Sequence, residues 1–272
     1  MTLCDLHTHS LYSFDGAKDA TPDALCRRAL ELGLSDVAIT DHCDADAEVE
    51  GIYDLYDADA AWAAMTEAKE KYAGRLNLIR GIELGNAHHY PDYAHKALAR
   101  HPYEYVIGSL HNLRGVPDFC MLRYEIMTPA HVAQILDRAL DETLEMLSFD
   151  GFTTLGHMTY MHRYLTRAKL TVDFKPYYEK IRAIYAHLID KDIALEVNVS
   201  SIWKDLGVAM PTLELIKLYA DCGGRLVTVG SDAHAPQNLG KAIRKGYALL
   251  NAAGLHEVTV IRGGEKVQVS IE

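Results

Sequence analysis

No apolar run in the 272 residues approaches the roughly 20 needed to cross a bilayer, so no membrane span is expected. Met1 to Ser10 holds neither a basic start nor an apolar stretch, so no secretory leader is expected either. Cysteine is sparse. Cys4, Cys26, Cys43, Cys120 and Cys222 are odd in number, scattered, and free of Cys-x-x-Cys spacing. That excludes a disulfide framework and a thiolate zinc site, and it points to the reducing cytoplasm. Basic side chains are outnumbered, 27 against 38 acidic, for a net charge of −11. An acidic chain lacks the cationic face that nonspecific nucleic-acid binding requires. No pattern specifies an oligomeric state.

What is present is an ordinary globular composition, 49% hydrophobic and 24% charged, long enough to bury a large core. Strand-like and helix-like segments alternate from end to end. Strands are expected at Leu3–His7, Asp36–Thr40, Leu76–Glu83, Tyr105–Leu110, Phe152–Leu155, Ile193–Val199 and Leu226–Val229. Helices are expected between and after them. The first, Pro22–Leu32, has Thr21 as its N-cap, Pro22 at its first position and Gly33 as its stop. Two β-like pieces, Glu257–Ile261 and Val267–Ile271, close the chain around Gly263-Gly264. Seven strand–helix units imply parallel strands with right-handed crossovers, and their even spacing suits an α/β barrel in one domain, residues 1–272.

The 14 histidines are the unusual feature. His7 and His9, two apart on an extended backbone, point the same way and can chelate one ion. Every later strand also delivers a His, Asp or Glu at its C-terminal end. These are His42 after Thr40-Asp41, Glu83 after Gly81-Ile82, His111 after Ser109-Leu110, His157 after Gly156, Glu196-Val197-Asn198, and Asp232 and His234 after Gly230-Ser231. In a barrel those ends converge on one mouth, where active sites lie. With Asp15, the candidate ligands are His7, His9, Asp15, His42, Glu83, His111, His157, Asp232 and His234. A single catalytic zinc takes three protein ligands, so this set fits two to three divalent ions. Imidazole with carboxylate favours Zn, Mn or Fe.

At these motifs, together with Phe14-Asp15-Gly16, the chain resembles the PHP (polymerase and histidinol phosphatase) superfamily along nearly its whole length. Tyr12-Ser13-Phe14-Asp15-Gly16 and His162-Arg163-Tyr164 make it most similar to the histidinol-phosphate phosphatase branch. The resemblance implies a distorted seven-stranded (β/α)7 barrel with three metals. By position it implies a first ion on His7, His9, Glu83 and Asp232. A second would share Glu83 with His111 and His157, and a third would lie on Asp15, His42 and His234. Asp5 and Asp41 are expected to orient imidazoles, as carboxylates behind metal ligands do. One departure stands out: the branch often has Leu-Arg-Lys where this chain has Ile202-Trp203-Lys204, so Trp203 stands where a substrate-contacting Arg is expected, with Lys204 beside it.

The implied activity is hydrolysis of a small phosphomonoester by a hydroxide bridging the first two ions, with L-histidinol phosphate in histidine biosynthesis the first expectation and another small phosphate ester the alternative. Three ions against Asp15, Glu83 and Asp232 leave a local charge of about +3 in an acidic chain, where a phosphate must bind. Glu83, Asp232 and Arg163 are the expected catalytic groups; Arg163, Lys204 and His89 are the expected substrate contacts. Arg163 is read either as a phosphate clamp or as a surface salt bridge. Tyr12, Tyr160 and Tyr164 are candidates to line a pocket for an aromatic ring.

Other phosphatase chemistries leave no trace. Six residues beyond Cys43, Cys120 and Cys222 stand Val49, Ile126 and Thr228, not the Arg of a cysteine phosphatase. Asp44-Ala45-Asp46 has the form of an aspartyl nucleophile, but the acidic run to Glu50 reads as a solvated loop. An amidohydrolase would bring a lysine from strand four, where this chain has His111. A metal-binding module without turnover would have lost ligands, and all nine are in place. His95, His101, His131, His187 and His256 read as surface groups.

Overall fold

The computed structural model describes residues 2–53, 55–204 and 206–272. Its main sheet contains β1 (Cys4–Asp5), β2 (Asp36–Ile39), β3 (His42–Asp44), β4 (Asn77–Gly85), β5 (Tyr105–Ser109), β6 (Thr154–Leu155), β7 (Ala194–Asn198) and β8 (Val227–Gly230). Every pair is parallel. β2 and β3 both pair with β4, so they are two halves of one staggered strand and the barrel has seven. The last strand returns to the first. Leu6 N donates to Val229 O at 3.0 Å, Asp232 N donates to His7 O at 2.8 Å, and Thr8 bridges Ala233. The strands are buried on both faces because helices cover the outside.

The first helix, Pro22–Leu32, forms where its cap and stop place it. Thr21 accepts from Ala24 N, and Gly33 takes the left-handed conformation at φ 71°. The other long helices are Ala58–Lys71, Pro91–Arg100, Pro129–Met146, Tyr178–Asp190, Leu213–Asp221 and Ile243–Ala252. The sequence places these helices at Ala58–Tyr72, Tyr93–Arg100, Ala130–Phe149, Pro176–Asp190, Thr212–Cys222 and Leu239–Ala253, so they agree to within a few residues at each end, the last starting four residues late. The closing hairpin, β9 (Glu257–Arg262) and β10 (Glu265–Ser270), is antiparallel and turns at Gly263 and Gly264, both at positive φ. Arg262 clamps it to the barrel through Asp36, with bonds of 2.9 and 2.7 Å.

The solvated loop expected after His42 is instead regular structure, buried from Cys43 to Ala47 and exposed only at Val49 and Glu50. β3 runs to Asp44, a short helix covers Ala45–Glu50, and Asp44 and Asp46 are each only 6% exposed. Pairing of β3 with β4 pulls this acidic run into the barrel mouth, a long-range register that charge content alone does not reveal. Short helices at Met161–Arg167 and Ser200–Trp203, which the sequence does not announce, place two more parts of the site.

Candidate metal centre

Glu83, near the end of β4, is fully buried and is the hub of the barrel mouth. Its Oε2 lies 3.2 Å from His7 Nε2, 2.9 Å from His42 Nδ1 and 3.6 Å from His9 Nε2. Its Oε1 lies 2.8 Å from His157 Nε2 and 3.2 Å from His111 Nε2, and accepts from Ser109 Oγ at 2.6 Å. One carboxylate thus presents each oxygen to a different set of imidazoles. Burial alone would push this carboxyl up; His7, His42 and His111 outweigh it and hold it well below the usual range.

The remaining groups surround this hub. Asp232 Oδ1 is 3.6 Å from His9 Nε2 and 3.5 Å from His234 Nδ1. Asp15 Oδ2 is 3.0 Å from His234 Nε2, and Asp15 Oδ1 is 3.9 Å from His42 Nε2. The His9 ring stacks on His42 and on His234, with centroids 4.3 and 4.0 Å away. All nine sequence candidates therefore meet at one mouth.

The carboxylates and hydroxyls behind the imidazoles decide which nitrogens face inward. His7 Nδ1 is 2.7 Å from Glu196 Oε1, and Glu196 Oε2 accepts from His157 N at 2.6 Å. Ser13 Oγ donates to Asp41, so it accepts from His9 Nδ1 at 3.0 Å. Asp44 Oδ1 is 2.9 Å from His111 Nδ1. With Nδ1 donating in each case, the Nε2 lone pairs of His7 and His9 face each other at 3.1 Å, a repulsive contact unless positive charge lies between them. His42 Nδ1, although 2.9 Å from Glu83, is buried and has no hydrogen-bond partner among the described residues. Donor separations of 3.1–3.6 Å suit a shared ion, since bonds of 2.0–2.1 Å in a tetrahedron put ligand atoms about 3.3 Å apart. The residues fit divalent metal.

The charge balance agrees. Burial would keep His42 neutral, yet Glu83 and Asp15 raise its pKa to about 9. Burial likewise opposes protonation of His7 and His111, and neighbouring carboxylates raise both well above the ordinary value. The cluster demands positive charge, which ions would supply by displacing these protons.

Glycines make room for this packing. A Cβ on Gly85 would meet Asp44 Oδ1 at 1.8 Å, and one on Gly230 would meet His7 Cβ at 2.3 Å. Asp232 itself is held at φ +54°, an uncommon conformation for a non-glycine residue.

A cavity of about 420 Å³ opens over the cluster, and Arg163, Arg167 and Lys204 bring positive charge to its wall. Arg163 is buried, which removes the surface salt-bridge reading. Its Nη2 donates to Asp232 Oδ2 at 3.0 Å and to Ser200 Oγ, and its Nε donates to Ser201 Oγ at 3.0 Å. Trp203, where the resemblance leads one to expect Arg, donates from Nε1 to Ser231 O at 2.9 Å, and its ring carries Lys204 and Lys241 about 5 Å away.

Several expectations need correction. Among the described residues Asp5 is hydrogen-bonded to no imidazole; it accepts from Ser231 N and Oγ and from Gly240 N, pinning the turn that carries Asp232. Asp41 does orient His9, but only through Ser13. His89 lies outside the metal cavity, with its ring nitrogens against Asp46 and Glu142 at 3.3 Å. Tyr160 and Tyr164 line the cavity, whereas Tyr12 lines a separate groove beside Pro22. His101 and His187 are half-buried, the first on Asp59 and Trp62, the second on Leu147 O. Asp44 was the residue missed. Its two-residue offset from His42 puts both on one strand face, a signal masked by the acidic run around it.

A β/α barrel with a histidine and carboxylate cluster at its C-terminal mouth defines a class of metal-dependent enzyme scaffold. The family model described as PHP domain matches residues 5–200, and the chain belongs to that family. Among curated relatives, it is 29% identical over 243 residues to the "Probable histidinol-phosphatase" of Thermotoga maritima, covering 89% of each chain. It is 22% identical over 265 residues to the histidinol-phosphatase of Lactococcus lactis, covering 97% of this chain and 96% of that one. The fold matches the crystal structure of the Lactococcus lactis histidinol phosphate phosphatase, complexed with zinc, L-histidinol and phosphate. The TM-score is 0.79 at 20% identity, covering 98% of this chain and 99% of that one.

Proposed function

We propose that this chain is a metal-dependent phosphomonoester hydrolase that converts L-histidinol phosphate to L-histidinol and phosphate in histidine biosynthesis. Its working unit is one domain formed by residues 1–272, and its setting is the cytoplasm. No helix among the described residues is long and apolar enough to cross a membrane. The observation that carries the reading is Glu83, whose two oxygens face separate imidazole sets beneath a cavity walled by Arg163 and Lys204. Curated relatives aligned along most of the chain bear the histidinol-phosphatase name.

In this reading His7, His9, Glu83 and Asp232 would hold one ion, Glu83, His111 and His157 a second, and Asp15, His42 and His234 a third, with zinc, manganese or iron as candidates. Bound ions supply charge neutralisation for the phosphoryl oxygens and lower the pKa of a coordinated water to about 7. The protein supplies the rest. Glu196, Ser13 and Asp44 lock the imidazoles by their Nδ1 atoms. Arg163 and Lys204 draw the phosphate dianion and orient it. Water adds to phosphorus, the ester P–O bond breaks, and the alcohol leaves with one of the water protons.

The test is kcat/KM of the metal-replete protein for histidinol phosphate against p-nitrophenyl phosphate and a set of nucleotide and sugar phosphates. A clear preference for histidinol phosphate is expected. Parity with the synthetic ester would overturn the substrate while leaving the phosphatase in place.

A further inference from the structure

The metal cavity does not end at the metal cluster. A second cavity of about 550 Å³ adjoins it, and the two share Asp44, Tyr53 and Asp118 as common walls. Of the two shared carboxylates, Asp44 is committed to His111 Nδ1. Deeper in the second cavity, Asp46 is also committed, accepting from Asn86 and Asn112 and standing against His89. Asp118 differs. Its Oδ1 accepts from Cys120 N at 2.6 Å, and among the described residues no Arg, Lys or His forms an ion pair with it. Of the cations lining these cavities, Arg114 and Arg163 pair with Glu145 and Asp232, Arg167 lies over the Tyr164 ring and Lys204 over the Trp203 ring. A half-buried carboxylate that faces a cavity and is ion-paired with none of these cations is a place for one from outside.

Its surroundings are aromatic. Tyr53 stacks face to face with Phe14 at 4.0 Å, and Phe14 leans on His42 at 5.2 Å. Tyr53 and Asp118 line the same two cavities, and burial and then the charge of Asp118 push the Tyr53 phenol up to about 12. An aromatic face beside a free carboxylate favours a positively charged nitrogen. The phosphate-attracting cations, Arg163 and Lys204, come from other parts of the chain, the helices after β6 and β7.

We propose that Asp118 is a specificity-determining residue that receives a positively charged nitrogen on the alcohol part of the substrate while the phosphoryl group lies at the metal cluster. This deepens the reading given under Proposed function and rests on it. The class recognised is a phosphomonoester of an amino or imidazolyl alcohol. Neutral or anionic alcohols gain nothing from Asp118.

The competing role is structural, because Asp118 also caps the 3-10 turn Phe119–Met121. Asp118→Asn separates the two, since Asn caps as well as Asp but carries no charge. The experiment measures kcat/KM of the metal-loaded wild type, Asp118→Asn and Asp118→Glu for histidinol phosphate and p-nitrophenyl phosphate. It also measures inhibition by L-histidinol. Asp118→Asn is expected to lose at least tenfold of the preference for histidinol phosphate, mainly through KM, and to weaken L-histidinol inhibition in parallel. Asp118→Glu is expected to restore part of both. Repeating the comparison at pH 6 and pH 8 identifies the nitrogen. An equal loss at both marks the ammonium, and a larger loss at pH 6 marks the imidazolium. An unchanged preference in Asp118→Asn, or an equal loss on both esters, would overturn the proposal. A wild type without preference would instead overturn the substrate reading above. O-phosphoethanolamine, with its single ammonium, then serves as the cationic ester in the same variants, with the same criteria.

Discussion

Glu196 Oε1 stands 2.7 Å from His7 Nδ1 across 189 residues of sequence, and the other oxygen of the same carboxylate takes the backbone N–H of His157. One buried side chain therefore sets the tautomer of one imidazole and the position of a second. Carboxylates in this position typically account for 10–100-fold in metal affinity. Glu196→Ala is expected to lower metal affinity by about that factor, read by competition with a chelator and by metal analysis. Native affinity in the variant would reduce Glu196 to a packing role.

Glu83→Gln keeps the shape of the hub and removes its charge. Because both oxygens are engaged, the loss should exceed the roughly 100-fold upper range for supporting residues, with at least one ion missing by metal analysis. Near-normal turnover at full metal content would show that Glu83 does not join two ions.

Chelation should abolish turnover, and adding back zinc or manganese should restore it. The protein should also melt lower without ions. A ligand present at about 100 times its Kd stabilises by about 2.7 kcal/mol, which is several degrees in Tm for a chain of this size. An identical melting curve before and after stripping would argue against a site completed by metal.

Arg163→Ala should cost roughly 1.5–3 kcal/mol of charge-assisted hydrogen bonding, about ten- to a hundredfold in kcat/KM. Arg163→Lys should recover little, because lysine lacks the fork that reaches Asp232, Ser200 and Ser201 together. Metal content separates two causes. Unchanged content assigns the loss to phosphate binding, and reduced content assigns it to a misplaced Asp232.

The Asp36–Arg262 pair gives a pH-dependent prediction away from the site. Burial would raise the Asp36 carboxyl, but Arg262, Ser35 and Asn77 hold it below its ordinary value. A carboxylate with a depressed folded pKa contributes fully above its unfolded pKa, and that contribution is lost as pH falls through the folded value. Arg262→Ala should therefore destabilise at pH 7, with the gap from wild type closing below about pH 4. Chemical denaturation at both pH values checks it, and a gap that does not narrow would mean the clamp acts by packing alone.

The site was largely legible because barrel topology sends every strand's C-terminal end to one mouth. Reading His7, His9, His42, Glu83, His111, His157, Asp232 and His234 off strand ends needed only the alternation of strands and helices. Arg163 was legible as a cation near strand six but not as the buried partner of Asp232, which lies 69 residues further on. Asp5 was misread for the same reason, since its partner Ser231 is 226 residues away and appears only when the last strand closes on the first.

By itself, the sequence determined what is local. The Thr21 cap and Gly33 stop, the Gly263-Gly264 turn, the order of strands and helices, and the placing of ligand-type residues at strand ends all depend on interactions within a few positions. Only the tertiary structure decided which oxygen of Glu83 faces which imidazole, that Asp44 leaves solvent to hold His111, and that Asp118, on the wall shared by two cavities, forms no ion pair among the described residues. Those outcomes depend on the β3–β4 register and on barrel closure. Both are cooperative results of packing the whole chain, and no single segment carries them.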